Sequence, residues 1–199
     1  MANRNSAGWG LRPAGTLGNT PSTQGLSQYW IDAGATVDLF FGMAMKSSGG
    51  YMITGESATT VTTIGVLQGI FYNAATTLKP TWASWYDATI TPANSEDTQA
   101  FVNDYPFQKY TIATDAAVAS DVPAAHVKFM ETYSVNGNTG GSTTTGNSTT
   151  TLEIGQTHAT TQSWRLLRSA EDPENNDLTA AYCTVEVVQN LSEFVGTGT

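Results

Sequence analysis

The sequence predicts a mainly β protein, a single antiparallel β-sandwich or barrel with an extended N-terminal arm and long polar loops. Two observations favour this fold class. Apolar residues recur with a period of two in about eight or nine short runs separated by turn residues, which is typical of strands joined by tight connections. No stretch shows the apolar spacing of a convincing amphipathic helix. At 199 residues the chain is long enough to form one domain with its own core.

The clearest strand runs from residue 37 to residue 46, where every second residue from Val37 to Met45 is apolar. Gly49 and Gly50 then predict a hairpin turn. Residues 115–125 are rich in alanine and could form a short helix that Pro123 interrupts. Residues 136–151 are a low-complexity polar loop. Further strands are predicted over residues 51–54, 61–72, 100–103, 107–114, 127–133, 152–154, 164–167 and 183–187.

The first 30 residues predict an extended docking arm, followed by a β domain over residues 31–199. The arm contains two basic residues and no acidic residue, although the whole chain has a net charge of −9. Its large apolar residues, among them Trp9, Leu11 and Trp30, are spaced singly and cannot form a core by themselves. We therefore expect a segment that becomes ordered against another surface, either its own domain or a partner.

Composition excludes several classes of function. A sequence pI near 4.4 argues against nucleic-acid binding, which requires a basic surface. No apolar run is long enough to span a bilayer, and the N-terminus does not resemble a secretory signal, so we expect synthesis in a cytoplasm and no membrane partner. Cys183 is the single cysteine, so no intramolecular disulfide is expected.

Residues suited to catalysis or metal binding are scarce and scattered. His126 and His158 lie in different segments without a metal-binding motif, and Cys183 lies on the apolar face of a predicted strand. The acidic loop over residues 171–177 does not fit a calcium loop, because Asp177 stands where that loop needs glycine. We expect no catalytic residue, metal or cofactor.

Aromatic residues cluster in the predicted loop that contains Trp82, Trp85 and Tyr86. The cluster is expected to pin the loop to the domain or to lie in a protein interface, where such residues are enriched. The alternative is a sugar-binding surface, because aromatic rings on a loop can stack against sugar rings.

Short motifs follow one another in an order that extends over nearly the whole chain. They are GWGLRP at residues 8–13, GVLQGIFY at 65–72, KPTW at 79–82 followed by Trp85 and Tyr86, AFVNDYP at 100–106, GSTTTG at 141–146, and EDPEN at 171–175. This order resembles the structural proteins of marine tailed phages, particularly phages of cyanobacterial hosts, that decorate or cement the exterior of the capsid.

The resemblance implies a non-enzymatic virion protein on the capsid exterior, made in the host cytoplasm, that binds the shell of major capsid protein. It also implies a homo-oligomer, either a trimer or a dimer. The candidate docking residues are those of the arm, Trp9, Leu11, Arg12, Pro13 and Trp30. The alternative function is that of a carbohydrate-binding β-sandwich on a virion surface, using Trp82, Trp85 and Tyr86.

Overall fold

A computed structural model describes residues 3–18, 25–55, 62–156 and 159–195. Over these residues the protein is mainly β, with antiparallel sheets in a sandwich-like arrangement and no closed barrel, which confirms the predicted fold class. Residue 61, which begins one predicted strand, lies outside the described residues. The strands are β1 (Arg12–Thr16), β2 (Ser27–Ile31), β3 (Ala44–Ser48), β4 (Tyr51–Thr54), β5 (Gly65–Asn73), β6 (Pro80–Ala83), β7 (Thr98–Asn103), β8 (Gln108–Ala113), β9 (Thr132–Tyr133), β10 (Val135–Asn136), β11 (Thr151–Leu152), β12 (Trp164–Ser169) and β13 (Thr184–Gln189).

The first sheet has the strand order β1-β8-β13-β12-β9 and is polar on one face only. Val185 and Val187 of β13 are buried, whereas Glu186 between them lies on the outer face, as period-two alternation requires. On that outer face Glu186 pairs with Lys109 (Nζ to Oε2, 3.6 Å) and with Arg168 (Nε to Oε2, 3.1 Å). Buried apolar side chains on the other face form the first core, in which Tyr110, Tyr133 and Trp164 are among the largest.

The second sheet has the order β2-β7-β5-β3-β4, with β6 also pairing with β5. One of its faces packs in the second core, which includes Ile31, Ile70 and Val102. The register of β5 against β7 shifts between Leu67 and Gly69. Val66 precedes this irregularity and belongs to the first core, so the second sheet contributes to both cores.

The predicted strand over residues 37–46 is only partly correct. Leu39 and Phe41 form isolated bridges, and β3 begins at Ala44. Gly42 interrupts the strand because its φ of +84° places it in the left-handed region. The hairpin of β3 and β4 across Gly49 and Gly50 is confirmed.

One α-helix, α1 (Val122–Val127), and one short 3-10 helix, Ala93–Ser95, lie within the described residues. The Asp121 side chain accepts a hydrogen bond from the Ala124 N–H at 2.8 Å and caps the helix. Pro123 lies in the first turn, where its missing N–H costs nothing, so proline starts this helix instead of interrupting it. The strand predicted over residues 127–133 is correspondingly reduced to β9.

The N-terminal segment, defined as residues 3–18, packs against the rest of the domain. Its strand β1 pairs with β8, and Leu11 is fully buried in the first core. Residues 1, 2 and 19–24 of the predicted arm lie outside the described residues. The predicted boundary at residue 30 does not separate two structural units. Leu11 is buried in the core of the domain, and the backbone of β1 forms its hydrogen bonds with β8.

The basic start of the chain lies on the acidic loop. The Asn3 side chain donates from Nδ2 to the carbonyl oxygens of Asp177 (3.0 Å) and Ala181 (2.9 Å). Arg4 Nη1 lies 2.6 Å from Glu174 Oε1, and both side chains are exposed, so this ion pair adds little stability. Of the two surfaces that the sequence left open for ordering the segment, the structure uses its own domain.

Close backbone contacts join the N-terminal segment to two other parts of the chain. The Leu11 N–H donates to the Gly42 carbonyl at 2.9 Å, the Gly10 N–H donates to the Thr150 carbonyl at 3.1 Å, and the Gly42 N–H donates to the Leu67 carbonyl at 2.9 Å. A Cβ on Gly42 would lie 3.1 Å from the backbone nitrogen and oxygen of Leu11. We call this crossing of residues 8–12, 40–43 and 146–151 the glycine junction.

The low-complexity loop over residues 136–151 is anchored by a buried amide. Asn138 Oδ1 accepts the Ala44 N–H at 3.0 Å, and Asn138 Nδ2 donates to the carbonyls of Ala44 (2.9 Å) and Gly55. The Thr150 hydroxyl also donates to Asn138 Oδ1 at 3.1 Å. The loop is polar because it supplies hydrogen bonds to the Ala44 N–H and to the carbonyls of Ala44 and Gly55, in addition to facing solvent.

Leu11→Ala is expected to lower the free energy of unfolding by about 2–5 kcal/mol, because it removes buried methyl groups from the first core. Leu17→Ala is the matched control and should cost about 1 kcal/mol or less, because Leu17 is exposed. Urea unfolding of both variants measures the difference. Equal losses would contradict the burial of Leu11.

Candidate functional site

The predicted docking residues are divided between different environments. Leu11 is fully buried, so the prediction that it contacts a partner is wrong. The Arg12 guanidinium carbon lies 4.2 Å from the centroid of the Phe41 ring and 5.9 Å from that of Trp9, and Arg12 Nη2 donates to the Trp9 carbonyl at 2.9 Å. Burial lowers the pKa of the Arg12 guanidinium, which nevertheless stays charged. Pro13 is exposed on β1, and Trp30 is 44% exposed on β2 of the other sheet.

The structure also separates the three aromatic residues of the predicted loop cluster. Trp85 stacks on Phe40 with ring centroids 5.1 Å apart, and Tyr86 is buried in the second core. These two residues pin the loop to the domain, which is the first of the interpretations that the sequence left open. Trp82 is 54% exposed and contacts Phe101, with ring centroids 4.7 Å apart. A sugar-binding surface made of all three residues is therefore not formed.

An exposed apolar patch lies where β1 and β8 approach the end of the chain. Phe107 and Phe194 are 51% and 55% exposed, and Leu17 and Leu26 are also exposed. The Leu17 N–H donates to the Phe107 carbonyl at 3.0 Å, and the rings of Phe107 and Tyr105 lie 5.7 Å apart. Leu26, Tyr105 and Phe194 line one depression. We call this surface the apolar patch and define it as Leu17, Leu26, Tyr105, Phe107 and Phe194.

Among the described residues that line the depression, Asp104 is the one carboxylate, and it already has a partner. The Tyr29 hydroxyl donates to Asp104 Oδ2 at 2.7 Å. Burial raises the pKa of the Tyr29 phenol, and the hydrogen bond to Asp104 raises it further, so Tyr29 remains a donor at neutral pH. The patch is thus apolar, with one hydrogen-bonded pair, Tyr29 and Asp104, beside it.

A second exposed surface lies on the outer face of the second sheet. Trp30 pairs with Gln99, Gln99 with Phe71, and Phe71 with Trp82, so these four residues follow one another across β2, β7, β5 and β6. Residues opposite one another on antiparallel strands point to the same face. We call these four residues the aromatic row. Trp30 and Trp82 could be identified from the sequence as candidate site residues, but Phe71 and Gln99 could not, because strand pairing over long separations is not visible in periodicity.

A groove of about 550 Å³ lies against the aromatic row. Tyr51 and Tyr72 add two aromatic side chains to its wall, and Asn73 and Glu96 add polar ones. The Tyr51 hydroxyl donates to Asp97 Oδ2 at 3.1 Å, and this hydrogen bond raises the pKa of the Tyr51 phenol. The groove therefore combines aromatic faces with amides and carboxylates.

The described residues contain no group of three or more His, Cys, Asp or Glu side chains that could bind a metal ion. His126 lies in α1, with its ring 5.4 Å from that of Phe129, and His158 lies outside the described residues. In the acidic loop, the Asn175 side chain and the Glu174 N–H donate to the Asp172 carboxyl and lower its pKa. The side chains of this loop therefore stabilise its own turn, and the loop binds Asn3 and Arg4 of the N-terminal segment.

No helix within the described ranges is long and apolar enough to cross a membrane.

Comparisons with family models, with curated proteins and with solved structures gave no match to this chain.

Cys183 is expected to resist thiol reagents in the folded protein. Its side chain is fully buried, and burial raises the pKa of its thiol to about 11, so little thiolate forms at neutral pH. Ellman's reagent should label Cys183 in denaturant and leave the native protein unlabelled. Rapid labelling of the native protein would show that Cys183 is accessible and would contradict its place in the first core.

Proposed function

We propose that this chain is a non-enzymatic virion structural protein that binds the outer surface of a capsid shell and reinforces it. The observation that carries the proposal is the apolar patch, because monomeric proteins rarely leave several large apolar side chains exposed side by side. The order of sequence motifs, which resembles capsid decoration proteins of marine tailed phages, supports a shell of major capsid protein as the partner.

The apolar patch has the composition of the centre of a protein interface. Its large side chains are aromatic or leucine, and interface centres are enriched in aromatic residues and depleted of charge. The chain has a net charge of −9, so the surface around the apolar contact is expected to stay hydrated. The docking surface in this proposal uses Leu17 and Leu26, two other residues of the predicted arm, in place of Leu11 and Arg12, which are engaged within the domain.

Reinforcement requires only modest affinity at each site. A protein that binds the assembled shell and not its separated subunits stabilises the shell by mass action, by about 2.7 kcal/mol per site at a concentration one hundred times the dissociation constant. A standard interface of about 800 Å² on each partner is sufficient for specific binding. Assembly of the protein as a trimer, or alternatively as a dimer, belongs to the same proposal, since several copies of the patch would act together.

Phe107→Glu and Phe194→Glu are expected to reduce binding to undecorated capsids by about tenfold or more, because each places a charge in a surface that becomes desolvated. Co-sedimentation of the purified variants with capsids assembled from major capsid protein alone measures the bound fraction.

Val127→Glu is the matched control, because Val127 is 74% exposed on α1, outside the apolar patch. Circular dichroism verifies that all three variants are folded. If folded patch variants co-sediment as well as the unaltered protein and the control, the patch is not the capsid-binding surface. If the unaltered protein does not co-sediment, the proposed function itself is wrong.

A further inference from the structure

The aromatic row differs from the apolar patch in its chemistry. The row places the polar side chain of Gln99 between Trp30 and Phe71, and the adjoining groove adds Asn73 and Glu96. A surface that buries only apolar side chains against another protein does not need these groups. Their presence beside exposed aromatic rings indicates a ligand that has both apolar and hydroxyl-bearing faces.

We propose that the aromatic row and its groove bind a neutral oligosaccharide. The C–H bonds on one face of a sugar ring carry partial positive charge and are attracted to the negative face of an aromatic ring. Trp30 is 44% exposed and Trp82 54% exposed, so both have ring surface available for such stacking. The two tryptophans stand at opposite ends of the row.

The polar side chains of the groove match the hydroxyl groups of a sugar. Gln99, Asn73 and Glu96 have no side-chain hydrogen-bond partner among the described residues. Each amide offers both donors and acceptors, and each sugar hydroxyl can both donate and accept. The ammonium group of a cationic ligand would stack on the aromatic rings and pair with Glu96, but this group itself has no acceptor for the amide N–H groups of Gln99 and Asn73. The two amides therefore favour a hydroxylated ligand over a cationic one.

Charge complementarity selects a neutral sugar over an acidic one. The described residues that line the groove include Glu96 and Asp97, and none of them is Lys or Arg. The whole chain has a net charge of −9, which repels uronic or sulfated saccharides. The ligand is accordingly an uncharged saccharide.

The length of the row indicates more than one sugar ring. Neighbouring strands lie about 4.8 Å apart. The row crosses four neighbouring strands in the order β2, β7, β5 and β6, so it is about 14 Å long. Stacking positions at Trp30, Phe71 and Trp82 are thus separated by one or two strand spacings. We expect an oligosaccharide to bind more tightly than its monosaccharide, because only the longer ligand reaches two rings.

This proposal stands apart from capsid binding, since it uses different residues, those on the outer face of the second sheet. Calorimetric titration of the full chain with neutral cello-, chito-, xylo- and malto-oligosaccharides, each a tetrasaccharide or longer, tests it. Oligogalacturonate and choline are the anionic and cationic comparisons. We expect at least one neutral oligosaccharide to bind and the two charged probes not to bind.

Trp30→Ala and Gln99→Ala should each weaken binding of that oligosaccharide by about tenfold or more, because they remove a stacking face and a hydrogen-bonding amide. Phe107→Ala is the matched control, because it removes an exposed ring of the apolar patch, and it should retain the affinity. The proposal is overturned if no neutral oligosaccharide binds the folded protein, if choline or oligogalacturonate binds more tightly, or if Trp30→Ala retains the affinity. None of these outcomes affects the co-sedimentation result expected for the apolar patch.

Discussion

The rest of the structure depends on the close backbone crossing at the glycine junction. Gly10 and Gly42 have φ values of +83° and +84°, and the Leu11 N–H donates to the Gly42 carbonyl at 2.9 Å. A side chain at either glycine would be strained by its backbone conformation and would meet neighbouring backbone atoms. The crossing places Leu11 in the first core, starts β1 beside β8, and sets Phe41 under Arg12. It thereby holds together the N-terminal segment, the start of β3 and the end of the polar loop.

Much of the fold could be predicted from the sequence because a strand shows period-two alternation of apolar and polar residues within its own few residues. Val185 and Val187 alternate with Glu186, and the structure places them on opposite faces of β13. The glycine junction could not be predicted in the same way, since Gly10 and Gly42 are far apart in the chain and their contact depends on tertiary packing. The GWGLRP motif was visible, but its glycines serve an internal crossing, and the charge asymmetry of the segment is matched by the acidic loop of the same chain.

On the exposed surfaces too, the residue types could be read from the sequence, but the spatial neighbours of each residue could not. The sequence predicted Trp30 as a docking residue and Trp82 as a loop-packing or interface residue, but their relation through Gln99 and Phe71 follows only from the pairing of β2, β7, β5 and β6. Trp85 and Tyr86 had the same appearance in sequence as Trp82, yet they are packed against the second core. The apolar patch joins Leu17 of the N-terminal segment, Leu26 before β2, Tyr105 and Phe107 between β7 and β8, and Phe194. Two chemically different surfaces therefore remain exposed, one apolar and one that mixes aromatic and amide groups.

Native-state hydrogen exchange of the Leu11 amide tests the central role of the glycine junction most directly. If the N-terminal segment is an integral part of the core, this amide opens only with global unfolding and exchanges with the same free energy as the hydrogen-bonded amides of β8 and β13. Exchange of the Leu11 amide at the rate of a frayed terminus, while β8 and β13 remain protected, would contradict this account. That result would show that residues 3–18 are a separable arm.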